Sequence, residues 1–349
     1  MSPVGVGVIG LGFMGRTHLA AYRAADEAGH PNRLVAVCDQ DPDRLSGDSG
    51  RSPAGNFDPG NIGAERLFDP ASVAGYERPE ELLSDASVEL VSICTHTDTH
   101  VELALAALEA GKHVLVEKPV ATALSDVERL AEVARASDRL CMPAMCIRFW
   151  PAWSWARERV VDGSLGAVKS ATFRRLGTRP GWSGFYADQE RTGGALVDLH
   201  VHDTDFVRWC FGDPESVVST GTLDHLTTLY RYPEGPPHVT AEGGWDHGDG
   251  FDFRMRYTVV FERATADYDM AREPQLVLAR DGGVEPVELE SINGYDGEVR
   301  HLLDAIAAGG GALRATIDDA VGHTRLLAAE RTSLATGEPV QPGTGPEGG

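Results

Sequence analysis

The stretch Val4–His18, "VGVGVIGLGFMGRTH", decides how the chain is read. Its first half is an apolar, strand-like run, and its second half places Gly10, Gly12 and Gly15 in a G-x-G-x-x-G spacing. In a chain with 40 glycines that spacing arises readily by chance, so the flanks carry the argument. A strand precedes it and a helical pattern, Met14–Ala25, follows it, as a dinucleotide-binding turn requires. The first glycine permits a tight turn, the second a close approach of backbone to pyrophosphate, and the third close helix–strand packing. The helix start then offers free N–H groups and the positive end of its dipole to phosphate. Gly10, Gly12, Phe13, Met14 and Gly15 are therefore read as a cofactor-binding loop.

The next apolar run, Leu34–Cys38, ends at Asp39, where a carboxylate accepts hydrogen bonds from both ribose hydroxyls. The same charge repels a 2'-phosphate, so the expected cofactor is NAD rather than NADP.

Working outward, the strand candidates Val4–Ile9, Leu34–Cys38, Val88–Cys94, His113–Val116 and Leu140–Cys146 alternate with helix candidates Met14–Ala25, Thr99–Ala110 and Ser125–Ala136. Strands alternating with helices imply a doubly wound parallel sheet. The Gly-, Ser- and Pro-rich segment Gly47–Gly63 interrupts that rhythm and reads as a long surface loop ahead of a short Glu80–Leu83 helix. Past Arg148 the texture becomes alternating, in "AVKSATFRRLG", "SVVSTGTLDHLTTLYRYP" and "DFRMRYTVVFERATADYDM", which predicts an open, mostly antiparallel sheet. Two helices close the chain, "EVRHLLDAIAAGG" and "TIDDAVGHTRLLAAERTSLATG", with Gly309 and Gly337 as stops. The fold class is α/β followed by α+β, divided as a dinucleotide-binding domain, 1–145, and a second domain for substrate binding and oligomerisation, 146–349.

The bulk composition sets limits. At 349 residues the chain suits two domains. A net charge of -22 repels phosphate backbones and anionic lipid, so neither nucleic acid nor a membrane surface is an expected partner. The five cysteines are scattered and odd in number, which fits reduced thiols and a cytoplasmic protein. Arginine supplies nearly all the positive charge; the lysines are Lys112, Lys118 and Lys169. Unlike arginine, a lysine can give up its proton.

Lys118 stands in "KHVLVEKPV", just past a buried strand, at the sheet edge where open α/β folds bind ligands. Glu117 is placed to orient its amine. In "SICTHTDTHVELA", Thr95, His96, Thr97 and His100 lie at the edge beside the third strand. The i, i+4 spacing of His96 and His100 could suit a metal, but the residues are read as lining the nicotinamide half of the cofactor, with Asp98 or Thr99 capping the helix.

"GGALVDLHVHDTD", Gly193–Asp205, is crowded with polar groups. As a strand it would put Asp198, His200 and His202 on one face. The longer window, with apolar Leu196, Leu199, Phe206 and Cys210 and a stop at Gly212, predicts a single helix. On that helix Asp198 and His202 lie one turn apart and His200 points away. A histidine exchanges an alcohol proton near neutral pH, and a carboxylate orients it or holds substrate hydroxyls. No third ligand with recognisable spacing joins them, so no metal is assigned.

In order along the chain, "GLGFMG", "THTDTH", "EKP", "RFWPAW", "GGALVDLHVHDTD" and "SLATGEPV" resemble the Gfo/Idh/MocA oxidoreductase family over nearly the whole length. The most specific part is "EKP" followed by D-x-x-x-H, with Lys118 and Asp198 80 residues apart. The resemblance implies a Rossmann domain and a C-terminal domain that builds dimer or tetramer contacts. It implies a catalytic set of Lys118, Asp198 and His202, with Glu117 and Lys118 also beside the cofactor and Arg148 bordering the substrate. His200 stands where the family often has glycine, implying a different pocket wall. The implied activity is NAD(P)-dependent hydride transfer at a hydroxyl-bearing carbon of a sugar, sugar derivative or inositol. The rival readings are an enzyme of this family that recycles a tightly held NAD during hydrolysis or epimerisation, and a non-catalytic sensor of dinucleotide and sugar.

Overall fold

The computed structural model describes residues 2–48, 66–181 and 183–343. Most of the Gly47–Gly63 segment lies outside them. The chain forms two compact units.

The first unit carries a six-stranded sheet of β1 (Val4–Ile9), β2 (Asn32–Cys38), β3 (Ala74–Tyr76), β4 (Leu90–Ile93), β5 (His113–Val116) and β6 (Cys141–Pro143). Every pairing is parallel and the order is β3-β2-β1-β4-β5-β6. The strands are apolar without alternation because both faces are covered; β1 and β4 are buried at every residue. Helices α1 (Phe13–Glu27), α2 (Pro79–Ser84), α3 (His100–Glu109) and α4 (Leu124–Ala136) are the crossovers. The order reverses between β1 and β4, and the crevice at the carboxyl ends of those strands is where such sheets bind ligands.

The second unit carries an eight-stranded sheet of β7 (Val168–Leu176), β8 (Ser216–Thr222), β9 (His225–Arg231), β10 (Val239–Gly244), β11 (Arg254–Phe261), β12 (Thr265–Asp269), β13 (Leu276–Arg280) and β14 (Gly283–Pro286). It is antiparallel except where β7 pairs with β10. Burial alternates strictly along β11, as a one-faced sheet demands. The buried face holds Phe173, Tyr257 and Tyr268 around Trp153 of α5 (Pro151–Asp162) and Phe206 of α8 (Val201–Phe211). The edge-to-face contacts of Trp153 with Phe206 and Tyr257 measure 4.7 and 5.2 Å. Two short helices, α6 (Gln189–Thr192) and α7 (Gly194–Asp198), precede α8.

Two details depart from the sequence reading. Packing groups the chain otherwise than at 145/146: the first unit runs on to Phe149 and also takes in Ile292–Val321. That segment contains α9 (Gly294–Ala307) and the start of α10 (Ile317–Thr336), and Ile317, Ala320 and Val321 complete the apolar core of the parallel sheet. The single helix expected across Leu196–Gly212 is two helices, α7 and α8, interrupted at Leu199 and His200. The His200 N–H reaches back five residues to the Ala195 carbonyl at 2.8 Å, and the Asp203 and Thr204 N–H groups both turn to the His200 carbonyl. The helical ladder restarts there.

Candidate functional site

In the first unit, the glycine turn closes on its neighbours as the cofactor reading requires. Gly10 has a φ of +89°, and a Cβ on it would sit 2.7 Å from the Cys94 carbonyl oxygen. A Cβ on Gly15 would lie 1.8 Å from the Gly10 carbonyl oxygen, so only glycine lets α1 descend directly onto the turn. Gly12 is the N-cap of α1 and supplies no capping side chain. This is the cradle a dinucleotide pyrophosphate fits. Phe13 and Met14 open the helix and are half-buried.

Asp39 stands at the end of β2 and is 9% exposed. One carboxylate oxygen accepts the Leu11 N–H at 2.7 Å, and the other accepts the Asp41 N–H at 2.9 Å. Arg44 reaches the first oxygen at 3.2 Å. An open hollow of about 780 Å³, lined in part by Arg16, Pro42, Arg44 and Ser46, adjoins these residues. Burial, helped by the charge of Arg44, pushes the Arg16 guanidinium pKa down. The carboxylate therefore braces the glycine turn and the segment after β2 at once.

Around "THTDTH" the structure sorts the expected lining residues. Thr95 is half-buried, His96 exposed and Thr97 buried. Thr99 does not cap α3; its hydroxyl bonds Thr95 Oγ1 at 2.7 Å and the His96 carbonyl at 2.8 Å. His100 is turned inward by the structure. It is buried, with Nδ1 2.9 Å from the Pro119 carbonyl and Nε2 3.1 Å from the Thr95 carbonyl. It clips the loop after β4 to the loop after β5, and burial lowers its pKa.

Glu117 works through the backbone of its neighbour: its Oε2 accepts the Lys118 N–H at 3.0 Å. Its Oε1 lies 2.9 Å from His18 Nε2. His18 in turn contacts Ser92 Oγ at 3.2 Å, and Tyr22 bonds the same hydroxyl at 2.8 Å. Glu298 of α9 completes the group, with Oε1 3.9 Å from His18 Nε2. Burial raises its pKa well above the usual carboxylate range, and the charge of Glu117 adds to the rise. Sequence reasoning missed His18 and Glu298. His18 follows Gly15 by three residues and could have been marked from that spacing; nothing local marks Glu298.

Arg148, expected to border the substrate, is held among groups of the first unit. It is 1% exposed and donates to the Arg314 carbonyl at 2.7 Å and to Asp319 at 2.9 Å. It ties the end of β6 to the chain just before α10.

In the second unit, burial sorts the crowded stretch. His200, Asp203, Thr204 and Asp205 are each 0% exposed. Asp203 bonds Arg175 of β7 through two contacts of 2.8 and 3.2 Å. Thr204 bonds Glu330 at 3.0 Å, and Asp205 lies 3.1 Å from His323. His200 Nε2 lies 3.1 Å from Glu330 and 3.3 Å from Tyr230. His200 is therefore an internal group packed on Gly243, where a Cβ would collide with its ring, rather than a wall residue. Asp198, closing α7, and His202, opening α8, are the acidic and imidazole groups of Asp198–Asp205 that stay half-exposed. Because the helix breaks between them, the one-turn relation of a continuous helix does not describe the pair. Lys118 belongs to the first unit, Asp198 and His202 to the second.

Comparison with known proteins bears on both units. A family model described as "Oxidoreductase family, NAD-binding Rossmann fold" matches residues 4–145. The "GFO/IDH/MocA C-terminal domain" model matches residues 153–267. Myo-inositol 2-dehydrogenase of Thermotoga maritima is 31% identical over 80% of this chain and 79% of its own length. Levoglucosan dehydrogenase of Pseudarthrobacter phenanthrenivorans is 28% identical over 69% of this chain and 63% of its own length. A solved levoglucosan dehydrogenase complex with NADH and levoglucosan superposes with a TM-score of 0.82 at 20% identity, over 98% of this chain and 100% of that one, a likeness of fold. The parallel sheet with its glycine turn, the open second sheet and these matches place the chain in the Gfo/Idh/MocA family of oxidoreductases.

Proposed function

We propose that the chain is an NAD-dependent dehydrogenase acting on a hydroxyl-bearing carbon of a sugar, sugar derivative or inositol, with Lys118, Asp198 and His202 as its catalytic residues. The observation that carries the reading is the sorting of Asp198–Asp205. Four polar side chains are locked in the interior, while the carboxylate and imidazole suited to handling a hydroxyl remain half-exposed. The relatives named above act on polyol or sugar substrates by their names, which supports the substrate class.

Gly10, Gly12, Phe13, Met14 and Gly15 hold the pyrophosphate, Asp39 the adenosine ribose, and Thr95, His96 and Thr97 border the nicotinamide. When bound, the nicotinamide supplies the hydride acceptor or donor. His202 takes the hydroxyl proton during oxidation and returns it during reduction. Lys118 donates a hydrogen bond to the reacting oxygen and stabilises its negative charge. Asp198 accepts a hydrogen bond from a neighbouring hydroxyl and fixes the ring. Free thiols at all five cysteines suit a reducing, cytoplasmic setting. The sheet face opposite Trp153, with half-exposed Thr172, Arg174, Thr258 and Val260, is the surface for a homodimer or homotetramer.

The test follows nicotinamide absorbance against a panel of sugars and polyols, with NAD and NADP in parallel. His202→Ala and Lys118→Ala each lower kcat by roughly 10²–10⁴-fold on the substrate so found. Full turnover in either variant overturns the catalytic assignment, and a clear preference for NADP overturns the role given to Asp39.

A further inference from the structure

His225, Asp246 and His247 lie outside every residue used above. His225 opens β9 and pairs with Gly244, the last residue of β10. The pairing runs on past Gly244, where the Trp245 N–H donates to the Asp224 carbonyl at 3.0 Å, so Asp246 and His247 follow on beside His225. One donor atom from each of the three falls within 4.8 Å of the others. His225 Nδ1 is 2.7 Å, and His247 Nδ1 3.7 Å, from the same Asp246 oxygen.

Three further features belong to a built site. The outer nitrogen of His225, Nε2, lies 3.2 Å from Glu242 Oε1, and Glu242 is held by Arg174 at 2.5 Å. A carboxylate behind a ligating imidazole fixes its tautomer and aims its other nitrogen, the usual outer arrangement of a metal-bound histidine. The His247 ring is stacked on Phe251 at 4.0 Å. Its Nδ1 is shielded from solvent and has no hydrogen-bond partner, since 3.7 Å to Asp246 is too long for one. A buried nitrogen without a partner costs stability, and a cation at the meeting point of the three atoms would supply one.

We propose that His225, Asp246 and His247 bind a divalent transition-metal ion of the zinc class. Two imidazoles and one carboxylate suit zinc, cobalt or nickel rather than the all-oxygen preference of magnesium or calcium. Asp246 is half-exposed, which leaves a coordination position for water. The ion is structural: it fastens the segment after β10 to the start of β9. The adjoining residues link this segment to α7, which ends in Asp198. Trp245 Nε1 donates to Asp224 at 2.6 Å, and the Leu196 N–H of α7 donates to the Leu223 carbonyl at 2.9 Å.

The experiment uses the full chain without a polyhistidine tag, stripped by a chelator and then given Zn²⁺ or Co²⁺ alone. The expected result is one ion retained per chain after desalting, a tetrahedral-type Co²⁺ absorption spectrum, and a higher thermal midpoint with metal than without. A His225→Gln/His247→Gln double variant loses the ion, and Glu242→Gln weakens retention by roughly 10–100-fold. Circular dichroism and NAD binding of the variants check that they fold. A wild-type chain that retains no ion, or folded variants that retain as much as wild type, overturns the proposal.

Discussion

Glu298 is fully buried, and neither of its carboxyl oxygens has a hydrogen-bond partner. Its pKa in the folded state stands well above the ordinary value of 4.5, so the folded chain keeps a proton that the unfolded chain releases as pH rises past about 4.5. Folding is therefore opposed increasingly from pH 4.5 upward until the folded-state pKa is passed, the reverse of a salt-bridged carboxylate. Glu298→Gln keeps the shape without the titration. Its stability relative to wild type is expected to rise between pH 5 and pH 8, read as the difference in urea midpoints at the two values; no change with pH would refute the protonated state. Residues of this kind escape sequence reading. Gly10, Gly15 and Lys118 sit in recognisable spacings, so the places of Gly10 and Lys118 past strand ends and of Gly15 in the first turn of α1 were legible. Glu298 lies in "DGEVRHLL", which reads as an ordinary amphipathic helix, and its neighbour His18 is 280 positions away. Likewise no spacing joins His225 to Asp246 and His247; only the pairing of β9 with β10 does.

At the scale of elements, the join between α7 and α8 depends on Glu330 of α10. That carboxylate receives Thr204 and Tyr230 at 3.0 Å and Thr228 at 3.2 Å, with His200 at 3.1 Å. It thereby connects α8, β9 and α10 in the interior, and burial, helped by its charge, pushes the Tyr230 hydroxyl pKa well up. Glu330→Ala would take a charged acceptor from four buried polar groups. The expected loss is about 3–5 kcal/mol in equilibrium unfolding, with Glu330→Gln recovering part of it. A loss under about 1 kcal/mol would show that the network contributes little. The apolar period of Leu196–Cys210 and the stop at Gly212, where φ is +79°, were legible and gave the helical character correctly. The break was not: His200, where the ladder restarts, is held by a side chain 130 residues away. The pairing of Arg148 was hidden in the same way: "RFW" carries no sign of its bond to Asp319.

For the whole molecule, the alternation of apolar strands and helices was enough to read the parallel sheet, and the period-two runs were enough for the open one. The return of Ile292–Val321 to the first unit was not legible, since two amphipathic helices say nothing about which sheet they cover. Its consequence is testable by dissection. A fragment ending at Phe149 lacks Ile317, Ala320, Val321 and Glu298, and is expected to unfold without a sharp cooperative transition. The same fragment joined through a short linker to Ile292–Val321 should regain one, together with NAD binding. Equal behaviour of the two would show that the returning segment is dispensable. In the cell the same feature sets an order in time. Synthesis from Phe149 to Val321 takes roughly 10–30 s at 5–20 residues per second. For that interval the nascent dinucleotide-binding sheet is on the ribosome without its last core residues. The first part of the chain to emerge is thus among the last to finish folding, and during the wait its uncovered apolar surface is a natural substrate for chaperones.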